Sequence, residues 1–404
     1  MKKLLSLILV LIFALSLFSV GAFADEELPY IPYEEMPTAE KKGITLNVYN
    51  WGEYIANGTE DSLDVIAEFT RVTGIDVNYT TFETNEALYA KLVGGGANYD
   101  IIIPSDYMIA KMIKEDMLEP LNFENIPNYQ FIDEAYKNTV YDPENVYSVP
   151  YTWSTVGLFY NKKYVEEVPK NWDALWDERY TGKILMFDNP RDAFAIAMSR
   201  LGYSYNSTNV DEWYQAADLL KQQKPILQAY VMDQVFNKME SGEAWLAPYY
   251  AGDAAILVEE NEDIGFIMPE GQSANEFIDG MCIPKGSQHK AEAEAFINFM
   301  CNPDISAENC SYIGYATPIS LSRDFMDEEI VNDPLYYPSE ETLAKCEMFN
   351  DLPEDISLLL DELWAEVKMG GPGDTVTLIM ILLVFLFAYV AAVVYKKRKR
   401  RKEI

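Results

Sequence analysis

Residues 44–51, ITLNVYNW, decide the fold because they form a strand-like run that opens a regular alternation of strands and helices. The run ends in YNWGEY at residues 49–54, which places two large rings and a carboxylate at a turn. The pattern continues as helix, strand, helix and doubly buried strand over residues 59–74, 75–82, 85–95 and 99–105. This alternation favours a mostly parallel sheet covered by helices, so we predict an α/β fold.

The alternation is irregular through residues 118–150 and then resumes. Strand patterns follow at residues 155–161, 183–187 and 243–250, and helix patterns at residues 190–202 and 211–223. The chain between the two ends is longer than one compact core usually holds, so we predict two α/β lobes. Ligands of such folds lie outside the carboxyl ends of the strands, often between domains.

The two ends of the chain predict export and a membrane anchor. Residues 1–24 combine two lysines, an apolar run and a final AFA, which is typical of a cleaved signal peptide. Residues 375–395 contain no charged side chain and are long enough for a transmembrane helix. The basic residues that follow indicate that residues 396–404 are cytoplasmic and that the main domain is extracytoplasmic. Residues 25–42 are acidic and aperiodic, and we predict a loose leader there.

The chain is strongly acidic, with 31 lysines and arginines against 65 aspartates and glutamates and a net charge of −34. Nine of the basic residues lie in the two ends and only one acid does, so the main domain has a net charge near −42. Such a surface attracts cations and repels nucleic acid, which we exclude as a partner. Four cysteines in an exported domain could make two disulfides, although a domain of this size can fold without them.

Aromatic side chains and carboxylates recur where predicted strands end. Trp51, Glu53 and Tyr54 follow the first strand, Ser105 and Tyr107 follow the buried strand, and a later strand ends in Tyr249 and Tyr250. Ring faces attract cations, and carboxylates give an ammonium group its strongest hydrogen bonds. The joint pattern predicts a cage for an organic cation.

Enzymatic functions are disfavoured by the residue inventory. His289 is the only histidine, which excludes a histidine-dependent triad or a multi-histidine metal site. We predict no cofactor and no metal. One alternative stays open within binding proteins, because Tyr249 and Tyr250 could ligate a hard metal such as ferric iron. A membrane-anchored sensor is a further alternative, but the short basic tail offers no output domain.

The chain resembles the spermidine/putrescine-binding proteins of ABC importers over nearly all of residues 44–368. The resemblance is carried in order by the motifs YNWGEY, YTTFETNEALYAKL, YDIIIPSDY, YSVPY, WDALW, IPKGS and IGYATP. It implies a two-lobed, type II periplasmic-binding-protein fold with a polyamine in the cleft, delivery to an ABC permease, and no enzymatic activity. We also expect a monomer.

The resemblance implies specific lobes and ligand contacts. The chain would cross between lobes near Val149-Pro150 and near Asp279, so lobe 1 would combine residues 43–150 and 279–325, and lobe 2 residues 151–278 and 326–369. The implied ligand-binding residues are aromatic, acidic or hydrogen-bonding and comprise Trp51, Glu53, Tyr54, Ser105, Tyr107, Asn189, Asp192, Tyr250, Asp253, Phe277, Asp279 and Tyr315.

Three positions depart from the spermidine-type pattern of this family. Asn189 stands where one of two acids is usual, Asp253 adds a different acid, and Phe349 replaces a glutamine at the far end of the cleft. Asp253 together with Phe277 is similar to the putrescine-type members, and these departures favour the shorter diamine. The implied anchor for one ammonium group is Asp279, with Asp253 or Asp192 at the other end.

Overall fold

The computed structural model describes residues 30–95 and 98–369. The predicted signal peptide, the first part of the leader, the membrane span at residues 375–395 and the tail at residues 396–404 lie outside the described residues. Within the described ranges, no helix is both long and apolar enough to cross a membrane. The chain divides into two units, residues 1–31 and 32–404, and every element below belongs to the second.

The strands are short except for β4 and β9. Their bounds are β1 Thr45–Trp51, β2 Asp76–Phe82, β3 Ile101–Ile102, β4 Ser148–Asn161, β5 Ile184–Phe187, β6 Leu227–Val231, β7 Leu246–Tyr250, β8 Ile264–Ile267, β9 Ala274–Cys282 and β10 Cys346–Glu347.

The α-helices lie mainly between the strands. Their bounds are α1 Val65–Thr73, α2 Asn85–Val93, α3 Asp106–Lys114, α4 Pro190–Leu201, α5 Val210–Gln223, α6 Gln234–Glu240, α7 Ala251–Glu260, α8 Lys290–Met300, α9 Pro303–Ile313, α10 Glu328–Asn332, α11 Glu340–Leu343 and α12 Glu354–Met369. Residues 118–147, where the sequence pattern is irregular, contain three short 3₁₀ helices.

The sheet follows the predicted α/β arrangement at its two outer parts. In the described chain the strands join in the order β2-β1-β3-β9-β4-β7-β5-β6, with β10 beside β9 and β8 beside β4. The pairs β1–β2, β1–β3, β5–β6 and β5–β7 are parallel. The middle pairs β3–β9, β4–β9 and β4–β7 are antiparallel. The sheet is therefore mixed, with two parallel parts joined through the two long strands.

Strand β4 changes partner along its length. Its first half pairs with β9, from Ser148 opposite Cys282 to Thr155 opposite Glu276, and a register shift lies between Pro150 and Thr152. Its second half pairs with β7 and β8. All residues of β4 are buried. The two predicted crossing points, Val149-Pro150 and Asp279, lie in β4 and β9, while the division of the chain into lobes stays a prediction.

Most predicted helices and strands are present, with shifted ends. The first helix begins at Val65 rather than near residue 59, because the carboxylate of Asp64 accepts a hydrogen bond from the amide of Ala67 and caps the helix. Gly74 follows it with a φ of 72°, a left-handed conformation that glycine adopts readily. The predicted strand at residues 99–105 has only two ladder residues, although Ile101, Ile102 and Ile103 are all buried.

The four cysteines form no disulfide. Cys282, Cys301 and Cys310 are buried free thiols, and Cys346 is a half-buried one. Burial raises the pKa of each thiol above its usual value, so they remain protonated and behave as small apolar side chains. The fold is held by its apolar core and its sheet rather than by covalent links.

The described part of the leader from residue 32 onward is held against the domain, which differs from the loose segment that the sequence predicts. The guanidinium of Arg71 donates to the carbonyl oxygens of Met36 and Tyr33 at 2.8 and 2.9 Å, and Glu68 pairs with the same guanidinium. Backbone amides of Ala39 and Lys42 donate to carbonyls at the end of α1. One arginine therefore orders a segment whose composition indicates disorder.

We expect Arg71→Met to release residues 32–42 while the rest of the fold stays intact. The change removes two charge-assisted hydrogen bonds to the backbone, together worth roughly 2 kcal/mol. Hydrogen exchange should show faster exchange at the amides of Ala39 and Lys42. Arg179→Met is the control, because Arg179 lies on the surface and pairs with nearby Asp177, away from the leader. Unchanged exchange in Arg71→Met would contradict this role.

Candidate functional site

A cavity that is open to solvent at its mouth encloses about 700 Å³, part of it open solvent, and is lined in part by residues of β1, β7 and β9. All twelve residues predicted from the sequence line it, namely Trp51, Glu53, Tyr54, Ser105, Tyr107, Asn189, Asp192, Tyr250, Asp253, Phe277, Asp279 and Tyr315. The structure thus brings together residues that are up to 264 positions apart in the chain, although their role as ligand contacts stays a prediction.

Three of the predicted acids each accept a hydrogen bond from a tyrosine hydroxyl in this cavity. The pairs are Tyr54 with Asp279 at 2.7 Å, Tyr250 with Asp192 at 2.9 Å, and Tyr315 with Asp253 at 2.6 Å. Asp192 and Asp279 are buried, and Asp253 is partly exposed. Each tyrosine hydroxyl therefore fixes the orientation of one acid and leaves the remaining carboxylate lone pairs for other donors.

A short stretch of β4 gathers these pairs. Thr152 lies opposite Asp279 in the ladder and its hydroxyl also contacts the hydroxyl of Tyr54. The hydroxyl of Ser154 accepts a hydrogen bond from the amide of Gly252, at the start of α7. Val156 lies opposite Tyr250 at the end of β7. Three alternate residues of β4 thus set the spacing of the site.

Two of the acids stand in the first turns of helices. Asp192 follows Asn189, whose side chain caps α4, and Pro190, which begins it. Asp253 occupies the first turn of α7. Free amides at a helix N-terminus favour a negative charge, which partly offsets the loss of water around these two carboxylates.

Aromatic rings form the remaining walls of the cavity. Trp51 and Phe82, at the ends of β1 and β2, lie with their ring centroids 4.5 Å apart. The ring of Tyr54 meets Tyr315 edge to face at 4.7 Å. Phe277 extends this lining, with centroid distances of 5.4 Å to Tyr250 and 6.4 Å to Tyr315. Rings packed in this way hold one another in place and present a lining that attracts cations.

Burial disfavours the ionised form of the three acids. It raises the pKa of Asp192 and of Asp253 to about 7 and that of Asp279 to about 6, while the hydrogen bond from tyrosine lowers each pKa in part. Removing a carboxylate from water disfavours its charged form unless a positive charge replaces the lost hydration. The cavity therefore disfavours the ionised form of its own carboxylates and would favour the binding of a cation.

One carboxylate oxygen in the cavity lacks a partner. Oδ1 of Asp279 is buried and accepts no hydrogen bond, whereas Oδ2 accepts from Tyr54. Asp279 also faces the backbone of Ser105 across an isolated bridge. A buried acceptor without a donor costs free energy, so this oxygen indicates where a ligand would donate a hydrogen bond.

Other predicted residues are already engaged by the protein. The hydroxyl of Ser105 accepts from the amide nitrogen of Asn85 at 3.0 Å, and the side-chain oxygen of Asn189 accepts from the amide of Arg191 at 3.1 Å. Glu53 is exposed at the turn after β1 and has a φ of 49°. Ser105 and Asn189 are buried, whereas Glu53 lies at the exposed edge of the cavity.

Comparison with known proteins identifies the family. Residues 64–338 match the family described as bacterial extracellular solute-binding protein. The chain belongs to this family. It is therefore a binding protein of the α/β periplasmic-binding-protein fold and not an enzyme.

Two relatives of this chain have names that state their ligands. The spermidine/putrescine-binding periplasmic protein of Salmonella typhimurium is 34% identical over 331 residues, which cover 81% of this chain and 92% of the relative. The putrescine-binding periplasmic protein SpuD of Pseudomonas aeruginosa is 30% identical over 344 residues, which cover 80% of this chain and 92% of the relative.

Solved structures agree with this assignment. The putative spermidine/putrescine ABC transporter of Listeria monocytogenes superposes with a TM-score of 0.76 at 36% identity, covering 80% of this chain and 99% of that one. The spermidine/putrescine substrate-binding protein PotD of Streptococcus pneumoniae gives a TM-score of 0.68 at 35% identity, covering 81% and 99%.

Sequence reasoning missed several residues that line the cavity of this solute-binding protein. Asp233 is the main one, and it accepts a hydrogen bond from the hydroxyl of Tyr249 at 3.1 Å. The others are Phe82, Glu83, Asn85, Met232, Phe236 and Asn275. Asp233 lies two residues after β6, a strand that the sequence pattern did not reveal, so an acid that follows a strand was the signal that could have found it.

We expect Asp279→Asn to stabilise the ligand-free protein at pH 8. The folded-state pKa of Asp279, about 6, lies above that of an aspartate in the unfolded chain, so the folded state holds more protons between about pH 4 and pH 6. The free energy of unfolding therefore falls as pH rises through this window, by about 3 kcal/mol for a shift of two pKa units. Chemical denaturation at pH 4 and pH 8 measures the effect.

The asparagine variant cannot ionise, so its advantage over the natural protein should be absent at pH 4 and present at pH 8. Asp76→Asn is the matched control, because Asp76 lies on the surface beside Lys41. If the difference between the natural protein and Asp279→Asn is the same at both pH values, burial does not control the ionisation of this acid.

We expect Gly252→Ala to displace Tyr315 and destabilise the fold by about 1 to 3 kcal/mol. A Cβ atom at Gly252 would lie 2.5–2.7 Å from three ring carbons of Tyr315. Denaturation of the purified variant measures the loss. Gly94→Ala is the comparison, since a Cβ there approaches only backbone oxygens, at 3.1 Å or more. An unchanged free energy of unfolding in Gly252→Ala would show that the ring moves freely.

Proposed function

We propose that this protein is an extracytoplasmic receptor that binds a polyamine in the cavity and delivers it to the permease of an ABC importer. The observation that supports this most directly is the group of three tyrosine–aspartate pairs inside one aromatic-lined cavity. The relatives named for spermidine and putrescine, which cover most of the chain, point to the same ligand class.

The chemistry of the cavity suits a flexible chain with a positive charge at each end. An aliphatic ammonium group donates three hydrogen bonds and stays protonated at neutral pH, as lysine does. It would supply the donor that Oδ1 of Asp279 lacks and restore the ionised form of that acid. The methylene groups between the charges would lie against ring faces such as those of Trp51 and Phe277, which exclude water from the ligand.

We assign the twelve predicted residues to the ligand on these grounds. Asp279 anchors one ammonium group, and Asp253 or Asp192 accepts the other. The aromatic residues enclose the chain, and Glu53, Ser105 and Asn189 contribute further polar contacts. The ligand favours a closed state because it contacts both walls of the cleft, lobe 1 through Asp279 and lobe 2 through Asp192.

The membrane anchor is part of the proposal. Residues 375–395 would tether the receptor as a single-pass protein, with the signal peptide removed and residues 396–404 in the cytoplasm. A monomeric receptor held at the membrane surface stays near its permease without diffusing away. This arrangement suits a feeder of a transporter better than a sensor.

The ferric-ion alternative is less well supported by the same geometry. The hydroxyls of Tyr249 and Tyr250 donate to different acids, Asp233 and Asp192. Burial, with nearby carboxylates, holds the pKa of both tyrosines well above the usual value, which disfavours the tyrosinate that would ligate iron. Addition of ferric iron should therefore give no visible tyrosinate-to-iron absorption band.

We expect Asp279→Asn to weaken polyamine binding more than a hundredfold, because one ammonium group loses its charged partner, a loss of about 3 kcal/mol. Calorimetric titration with putrescine and spermidine, at two salt concentrations, measures the dissociation constants. A sugar without a positive charge should give no heat of binding.

Asp76→Asn removes the same charge from the surface and should leave the dissociation constants nearly unchanged. This control separates the cavity from the general acidity of the protein. Equal affinity in Asp279→Asn and the natural protein, or weak uptake at many sites that salt abolishes, would contradict the proposed function.

A further inference from the structure

A buried asparagine of the cavity lining is paired with Ser105. Asn85 is the first residue of α2, lines the cavity and is 2% exposed. Its side chain makes two hydrogen bonds to one residue. Nδ2 donates to the hydroxyl of Ser105 at 3.0 Å, and Oδ1 accepts from the backbone amide of Ser105 at 3.1 Å. The sequence analysis assigned no role to Asn85.

Neither of these two side chains caps a helix, although both stand where a helix begins. Asparagine and serine at such positions usually accept a hydrogen bond from an amide of the first turn. Thr84 does this for α2 by accepting from the amide of Ala87 at 3.1 Å. Ser105 precedes α3, but its side chain makes no capping hydrogen bond. Asn85 and Ser105 are therefore not needed as caps, and their side chains bind each other instead.

The backbone amide fixes the direction of both hydrogen bonds. An amide N–H can only donate, so the oxygen of the Asn85 side chain must face the amide of Ser105 and its nitrogen must face the hydroxyl. The flipped side chain would place two donors against each other. A serine hydroxyl has one proton and two lone pairs. Because one lone pair receives the hydrogen bond from Asn85, the proton of the hydroxyl must point to a different acceptor.

Asp279 offers that acceptor. Ser105 and Asp279 face each other across an isolated bridge, and the amide of Gly280 donates to the carbonyl of Pro104 at 3.0 Å. Oδ1 of Asp279 is buried and has no hydrogen-bond partner. The two groups make no standard hydrogen bond in the ligand-free structure, yet the hydroxyl of Ser105 lowers the pKa of Asp279 as a nearby donor does. The unused proton and the unused lone pairs therefore belong to facing residues.

We propose that Asn85 is a positioning residue of the polyamine site, which holds the Ser105 hydroxyl as a hydrogen-bond donor to Asp279. When an ammonium group of the ligand favours the ionised form of Asp279, the hydroxyl proton turns to Oδ1. The second lone pair of the Ser105 oxygen stays available to the ligand. This inference rests on the proposed function, in which Asp279 anchors one ammonium group. A donor to a carboxylate stabilises its charged form, which is the form that binds a cation.

The first experiment measures putrescine binding to the full chain by calorimetric titration in two backgrounds. Ser105→Ala should weaken binding about tenfold, because Asp279 loses a hydrogen bond to its charged form. Asn85→Ala should weaken binding about fivefold in the natural protein, and it should have almost no effect in Ser105→Ala, where the hydroxyl is already absent. The same fivefold loss in both backgrounds, or no loss in either single variant, would overturn the inference.

Asn161→Ala is the matched control. Asn161 is 3% exposed, and its side chain also accepts from a backbone amide, that of Lys163 at 3.0 Å. It does not line the cavity, so the dissociation constant for putrescine should stay unchanged. If Asn161→Ala weakens binding as much as Asn85→Ala does, the loss of any buried asparagine would explain the result, and the inference would be wrong.

The second experiment needs no ligand and follows the titration of Asp279 by carbon-13 NMR of the aspartate carboxyl groups. Its signal is the one that is absent from Asp279→Asn. The pKa of Asp279, about 6 in the natural protein, should rise in Ser105→Ala and in Asn85→Ala, because the ionised form loses a donor. Asn161→Ala should leave this pKa unchanged. A purely structural role of Asn85 would not move it.

The NMR titration also decides the question where Asn85→Ala fails to fold. Tyr54, Asp106 and Asp192 also interact with the charge of Asp279, and none of these variants changes them. Ser105→Ala keeps the backbone amide that donates to Asn85 and removes only the hydroxyl. An unchanged pKa of Asp279 in Ser105→Ala would overturn the inference, since the hydroxyl would then not act on this acid.

The outcomes separate this inference from the proposed function. If putrescine does not bind to the natural protein, the proposed function fails and the role of Asn85 in binding fails with it. If putrescine binds and Asn85→Ala causes the same loss with and without the Ser105 hydroxyl, only the role of Asn85 is wrong.

Discussion

The structure depends on one constraint, which is that the carboxylates of Asp192, Asp253 and Asp279 share one cavity and are largely removed from bulk water. Each carboxylate is held by one tyrosine hydroxyl, and one hydrogen bond cannot replace the hydration that a full negative charge requires. The protein therefore folds around a group of acids whose ionised form is unfavourable. A positively charged ligand would remove that penalty. The unfavourable burial of the carboxylates in the ligand-free fold would therefore add to the free energy of binding a cation.

Strand β4, rather than a loop, positions the residues that contact these acids. This strand is buried along its whole length, pairs first with β9 and then with β7, and shifts register between Pro150 and Thr152. This register shift places Asp279 of β9 opposite Thr152. Asp279 is therefore held by strand pairing, whereas Asp192 and Asp253 are held in the first turns of α4 and α7.

Sequence patterns predict the elements between residues 44 and 105 well and several later elements less well. Strands and helices from residue 44 to residue 105 follow clear periodicity, and strand ends rich in aromatic residues mark the cavity. Asp233 was missed because β6 is a short strand with half-buried residues and no strong alternation. The order of residues 32–42 depends in part on Arg71. A contact with a residue that is distant in the chain leaves no periodic pattern in the sequence.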